Sequence, residues 1–168
     1  LQTNGDMLGS SHYFRNIEFL DENIGFLSTL NNKFYKTIDG GTTWSLVTNI
    51  TPNPVAICGL DCVGTSTVYG CGAYFSPAYI IKSTDSGNTW QYINMSTYAD
   101  ALVEVLFLDE NIGFAAGKNP TGGVILKTID GGTTWTQLYN SNIAGDYVWK
   151  LQVLNTNQNI IFGSVEGT

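Results

Sequence analysis

The segment KTIDGGTTW at residues 36–44 returns as KSTDSGNTW at residues 82–90 and as KTIDGGTTW at residues 127–135. The three aspartates of these segments are separated by 46 and 45 residues. A second segment, FLDENIGF, occurs at residues 19–26 and identically at residues 107–114. Self-similarity at a fixed period of this length indicates a protein built from stacked copies of one structural unit.

Each repeat contains four short runs rich in β-branched and aromatic residues, separated by Gly, Asn and Asp. In the first repeat the runs are residues 16–20, 25–29, 33–37 and 44–48. Four antiparallel strands per repeat predict an all-β fold of β-propeller blades. The 168 residues form a single segment, with blades at approximately 14–50, 55–96 and 101–139 and an incomplete blade at 147–168. About three and a half blades cannot close a ring, which indicates a partial propeller or one half of a dimeric ring.

The repeated motif joins the third and fourth predicted strands of each blade, where a tight turn needs Gly for positive φ and Asp as a hydrogen-bond acceptor. The pattern Ser/Thr-x-Asp-x-Gly-x-Thr-Trp resembles the Asp-box, or BNR, repeat of sialidases, xyloglucan-active glycosidases, sortilin-type receptors and photosystem II assembly-factor-like propellers. The resemblance implies a structural role, away from the ligand face, for Asp39, Gly41, Trp44, Asp85, Gly87, Trp90, Asp130, Gly132 and Trp135.

Composition excludes several classes of function. The chain has 7 basic and 14 acidic residues, a net charge of -7, and a single arginine, Arg15, so a nucleic-acid partner is not expected. One arginine cannot form the cluster with which a sialidase holds its substrate carboxylate. We expect no membrane span, because Gly, Ser, Thr and Pro interrupt the uncharged stretches. A polar surface of Asn, Thr, Ser and Gly favours an exported protein, extracellular or in the cell envelope.

Turns that differ between the repeats lie on the face opposite the repeated motif, and variable loops commonly carry ligand sites. The aromatic residues predicted on or near this face are candidates for binding a protein or a glycan: Tyr74, Phe75, Tyr98, Tyr147 and Trp149. Some of them are expected to pack in the core instead.

Asp100 and Asp146 lie 46 residues apart, at equivalent positions before the first strand of their blades. Two such carboxylates could serve as the acid and the base or nucleophile of a glycoside hydrolase, although Asp before a strand also commonly caps a loop. Glu104 and Lys150 are equivalent in the same way and could be solvated, form an ion pair across blades or contribute to catalysis. His12 is expected to be a surface or loop residue.

Cys58, Cys62 and Cys71 all fall in the second repeat. The sequence leaves open a cross-strand disulfide between Cys58 and Cys71 or three buried thiols, and it predicts neither a metal site nor a cofactor.

The interpretation favoured by these features is a non-catalytic binding or scaffold module that recognises a protein or glycan through the variable face. A glycoside hydrolase fragment and an assembly-factor-like propeller remain alternatives. A second copy of the chain is a further possible partner, in a homodimer that completes the propeller.

Overall fold

The computed structural model describes residues 13–72, 77–154 and 157–167. Within these ranges the chain forms antiparallel sheets from the following strands: β1 (Phe14–Phe19), β2 (Gly25–Thr29), β3 (Phe34–Thr37), β4 (Ser45–Leu46), β5 (Ile57–Val63), β6 (Thr67–Gly72), β7 (Tyr79–Ser83), β8 (Gln91–Asn94), β9 (Ala101–Phe107), β10 (Gly113–Asn119), β11 (Gly122–Thr128), β12 (Thr136–Asn140), β13 (Tyr147–Leu154) and β14 (Asn157–Glu166). Three sheets contain four strands in chain order, and β13 pairs with β14 in a fourth sheet. The predicted all-β architecture is confirmed. We call these sheets blades one to four.

Every inner strand contains a bulge at the same place. The register shifts at Arg15, Cys58, Val103 and Trp149, which places Asn16, Gly59, Glu104 and Lys150 at equivalent positions immediately after the bulge. A bulge of this kind bends an edge strand and redirects its side chains. The four inner strands therefore carry corresponding residues at the same level of each blade.

The strands differ from the sequence prediction at the inner and outer edges of the first blade. The inner strand begins at Phe14, two residues earlier than predicted, because pairing with β2 continues beyond the bulge. The outer strand is reduced to Ser45 and Leu46, both exposed, instead of residues 44–48. An edge strand that buries little surface has few contacts to extend it.

The core lies between the blades. The ring of Tyr69, from blade two, stacks on the ring of Phe107, from blade three, with centroids 3.6 Å apart and an interplanar angle of 6°. Trp90 of blade two packs edge-on against Phe26 and Phe34 of blade one, at centroid distances of 5.8 and 5.3 Å. Each four-stranded sheet thus buries a face against its neighbour, as blades of a propeller must.

Asp85 closes the repeat turn of blade two. Its carboxylate accepts hydrogen bonds from the Thr89 backbone N–H at 2.8 Å, the Thr89 hydroxyl at 2.7 Å and the Ser83 hydroxyl at 2.8 Å. These bonds lower the pKa of Asp85 to about 2. The carboxylates of Asp39 and Asp130 are held in the same way. An exposed carboxylate fully occupied by its own turn acts as a structural acceptor.

The turn also requires glycine. Gly87 has φ +77°, and a Cβ at this position would lie 2.6 Å from the ring of Phe26 in the preceding blade. The turn of blade two therefore packs directly on blade one, and both the backbone conformation and the close approach favour Gly. No helix long and apolar enough to cross a membrane is present among the described residues.

The buried Trp135 indole gives a test of this packing. Trp135 is 4% exposed, contacts Phe107 edge-on and donates its N–H to the Gly132 carbonyl at 3.1 Å. We expect Trp135→Ala to lower the free energy of unfolding by about 3–5 kcal/mol, because it leaves a large cavity in the core. Urea unfolding followed by circular dichroism measures the change.

Ile129→Ala is the matched control, since Ile129 lies on the same turn but is 69% exposed. Its effect should stay within about 0.5 kcal/mol. A Trp135→Ala change of similarly small size would contradict the proposed role of the indole in the core.

Candidate functional site

The face opposite the repeat turns carries a stacked aromatic pair at the start of blade four. The rings of Tyr147 and Trp149 have centroids 4.8 Å apart and an interplanar angle of 20°. They belong to one strand at positions i and i+2, which point to the same side of a sheet. The β-bulge at Trp149 bends β13 at the position of these two rings. Two candidates from the sequence are therefore brought together.

Lys118 adds a positive charge to this pair. It lies near the end of β10 in blade three, and its ammonium nitrogen is 4.8 Å from the centroid of the Tyr147 ring. This distance is within the range of a cation–π interaction. The Asp100 N–H donates to the Lys118 carbonyl at 2.9 Å, which fixes the strand end from the blade-three side. We call Lys118, Tyr147 and Trp149 the Tyr147 cluster.

Two buried polar atoms accompany the Tyr147 cluster. The indole N–H of Trp149 and one carboxylate oxygen of Asp146 have no hydrogen-bond partner among the described residues. Asp146 is only 3% exposed, whereas the equivalent Asp100 is exposed. Buried polar atoms usually find partners, so unpartnered ones at one end of a strand are unusual.

Charged side chains from all four inner strands lie close enough to interact with one another. Lys150 forms the ion pair with Glu104 that the sequence left open, with Lys150 Nζ 2.7 Å from Glu104 Oε1 and 3.0 Å from Oε2. Burial raises the pKa of Glu104, and this ion pair opposes the rise. Burial also raises the pKa of Glu18 in β1, with the charge of Lys150 opposing it. Three carboxylates, those of Glu18, Asp61 and Glu104, therefore interact here with two cations, Lys150 and Arg15.

Asp61 is the most perturbed carboxylate of this central group. Burial is the largest cause that raises its pKa to about 7, and the charges of Glu18 and Glu104 add to the effect. Its carboxylate accepts a hydrogen bond from the Phe107 N–H of the next blade, which opposes the rise. Asp61 thus links blades two and three while it titrates near neutral pH.

The remaining sequence candidates have other surroundings. Tyr98 is half-buried and packs against the core cluster between blades two and three. Tyr74, Phe75 and His12 lie outside the described residues. No group of three or more His, Cys, Asp or Glu residues that could hold a metal ion occurs in the described ranges.

The cysteines are free thiols, which differs from the disulfide considered for Cys58 and Cys71. The register places Cys71 opposite Gly59, because Cys58 is the bulged residue and is displaced from the pairing. Burial raises the pKa of Cys58 and Cys71, and raises that of Cys62 to about 12. Thiols in such surroundings are weak nucleophiles.

Sequence reasoning did not single out Lys118 or Asp61. Lys118 belongs to a turn that differs between the repeats and is the cation of that turn, which was the available signal. Glu18 and Asp61 occupy equivalent positions in β1 and β5, opposite Phe26 and Tyr69 respectively. An alignment of the repeats that allowed for the bulge would have shown that Glu18 and Asp61 are equivalent.

Comparison with known proteins shows the class of fold. No family model matches the chain, and no curated protein matches it. Among solved structures, YCF48 bound to a D1 peptide is similar with a TM-score of 0.66 and 19% identity, over 86% of this chain and 45% of that chain. YCF48 from Cyanidioschyzon merolae has a TM-score of 0.62 and 22% identity, over 79% of this chain and 38% of that one. An ancestral GH74 enzyme has a TM-score of 0.59 and 16% identity, over 76% and 18%.

These similarities identify the architecture as that of a β-propeller, and the described residues of blade four form two of its strands. The chain spans less than half the length of each of these proteins. At such identities the likeness concerns the fold alone.

The buried Asp61 predicts a pH-dependent stability. Its folded pKa of about 7 lies above the ordinary value of 3.8, so its contribution is fully present below about pH 4 and is lost as the pH rises through 7. The full loss corresponds to the order of 4 kcal/mol. Asp61→Asn keeps an acceptor for the Phe107 N–H and should flatten the decline between pH 4 and 8, as measured by urea unfolding at a series of pH values.

Glu22→Gln serves as the control, because Glu22 is an exposed carboxylate. It should leave the pH profile unchanged. If Asp61→Asn declines as steeply as the original chain, burial of Asp61 does not cause the pH dependence.

Proposed function

We propose that the chain is a non-catalytic binding module that recognises a polypeptide through the face opposite the repeat turns. The observation that carries the proposal is the Tyr147 cluster, in which Lys118, Tyr147 and Trp149 are ordered against one another across two blades. Large aromatic rings held in place before binding give much contact area at little entropic cost. The cluster combines such rings with one positive charge.

The chemistry of the Tyr147 cluster favours an extended peptide with an acidic group. A carboxylate of the peptide could approach Lys118, next to the two stacked rings. The similar propeller YCF48 has been solved with a D1 peptide, which supports a polypeptide ligand for this fold. A glycan would stack on the same rings but would not use the charge of Lys118.

Selection of peptides from a displayed library tests the proposal. We expect Trp149→Ala and Tyr147→Ala each to weaken a selected peptide roughly tenfold or more, as residues central to an interface do. Lys118→Met should remove the salt dependence of binding. Dissociation constants from calorimetry at low and high salt measure both effects.

Tyr139→Ala is the matched control, because Tyr139 is an exposed tyrosine on the outer strand β12. It should leave the affinity unchanged. Equal affinities for all variants would place the peptide elsewhere, and selective loss of glycan binding instead of peptide binding would assign the cluster to sugars.

A glycoside hydrolase is a second candidate, favoured by the unequal surroundings of Asp100 and Asp146. One carboxyl is buried and the other exposed, a pattern that can separate the roles of acid and base. For this candidate, Asp146→Asn should reduce hydrolysis of β-glucan oligosaccharides roughly 100-fold or more. Cleavage that survives both Asp100→Asn and Asp146→Asn would exclude the pair. The assembly-factor role, the remaining alternative from the sequence, would instead be seen as capture of a tetrapyrrole protein.

A further inference from the structure

One aromatic position on the second strand of each blade reaches toward the following blade. Phe26, Tyr69 and Phe114 occupy this position in blades one to three and are 0%, 0% and 1% exposed. Register places Phe162 at the same position in blade four, opposite Gln152 as Phe114 is opposite Leu106. Phe162 is 56% exposed. The face of blade four that carries Phe162, which we call its outward face, therefore has the apolar residue that a following blade covers elsewhere in the chain.

The first strand of each blade carries a matching apolar position that packs on the preceding blade. Leu60, Val105 and Leu151 occupy it in blades two to four and are 3%, 2% and 6% exposed. Ile17 is the equivalent residue of blade one, by its pairing with Leu27, and is 51% exposed. The face of blade one that carries Ile17 is therefore built for a preceding blade.

The two outward faces are the two halves of one type of interface. Inside the chain, Tyr69 stacks on Phe107, and their equivalents on the outward faces are Phe162 and Phe19. Phe19 already contacts Trp44 edge-on, as Phe107 contacts Trp135, and is 38% exposed where Phe107 is 6% exposed. In a single copy, each outward face therefore lacks the complementary face that covers its equivalent between two blades inside the chain.

We propose that a second copy of this chain covers these faces, docked head to tail, with blade one of each copy following blade four of the other. A second copy carries both required surfaces, so the contact is self-complementary. The chain spans 45% and 38% of the two YCF48 propellers, so two copies supply about the length of one such protein. A two-fold arrangement closes and uses both faces of each copy.

The argument for this arrangement uses the outward faces of blades one and four and no residue of the Tyr147 cluster. The proposed dimer would enclose the region where Glu18, Asp61 and Glu104 lie. It would also bury the apolar outward faces of blades one and four, which are exposed in a single copy. Exposed apolar faces of this kind mark interaction sites in soluble proteins.

Light scattering of the 168-residue chain over a range of concentrations tests the proposal. We expect a solution mass of twice 18.3 kDa. Phe162→Lys and Ile17→Glu should each weaken the dimer roughly 100-fold or more, because each places an unpaired charge in both copies of the interface. Both side chains are exposed, so each variant should keep the circular dichroism spectrum of the original chain.

A mixture of the two variants distinguishes head-to-tail docking from other dimers. The mixed dimer has one unchanged interface and one interface that contains both Lys and Glu, whose opposite charges offset each other, so mixing should restore the dimer mass. Ile129→Glu is the control, since it changes an exposed isoleucine on a repeat turn, outside the two outward faces, and should leave the dimer intact.

Three results would overturn the proposal. The original chain could be monomeric at all concentrations, which would mean that blades of another source cover the two faces. Either variant alone could remain a dimer, or the mixture could remain monomeric, and both results would place the contact on other surfaces.

Discussion

The stacking of Tyr69 on Phe107 represents the constraint on which the rest of the structure depends, because a four-stranded blade cannot bury its faces by itself. Around this contact the neighbouring blade supplies further anchors. The Tyr69 hydroxyl and the Lys82 ammonium both donate to the Gly131 carbonyl, at 3.1 and 2.8 Å, so the repeat turn of blade three is held by two side chains of blade two. Apolar stacking thus sets the distance between blades, and hydrogen bonds to the turn set their orientation.

The repeat turn has a matching role inside its own blade. In blade three the Gly131 N–H donates to the Asn111 carbonyl at 2.9 Å, which ties the turn between strands three and four to the turn between strands one and two. Asp130 orders the same turn from within through the Thr134 backbone and hydroxyl. The turn carbonyl can therefore face the preceding blade without loss of the local structure. This division of roles explains why the turn sequence repeats while the opposite face varies.

Periodicity was enough to predict the blades, because strand number, turn position and the Glu104–Lys150 equivalence all follow from the repeat. It was insufficient for contacts that depend on the bulge. Cys58 shows the reason, since a shift of one residue moves it away from Cys71 and leaves both thiols free. Lys118 shows a second limit, because its contact with Tyr147 joins two blades and depends on side-chain direction instead of spacing. The pKa of Asp61 also depends on burial that residue order does not reveal.

The same strand connects the candidate binding site to the outward face of blade four. β13 carries Tyr147 and Trp149 at its start and packs Leu151 on blade three, while β14 closes against blade three where Gly163 approaches Ile125. The opposite side of this two-stranded blade carries the exposed Phe162. Ordering of the Tyr147 cluster therefore depends on how firmly one hairpin is held. A second copy seated on Phe162 would hold it from both sides, and the conformational entropy lost in assembly would then not be lost again on ligand binding. If both proposals hold, assembly and binding at the variable face would be thermodynamically linked, and a ligand at the Tyr147 cluster would favour the closed ring.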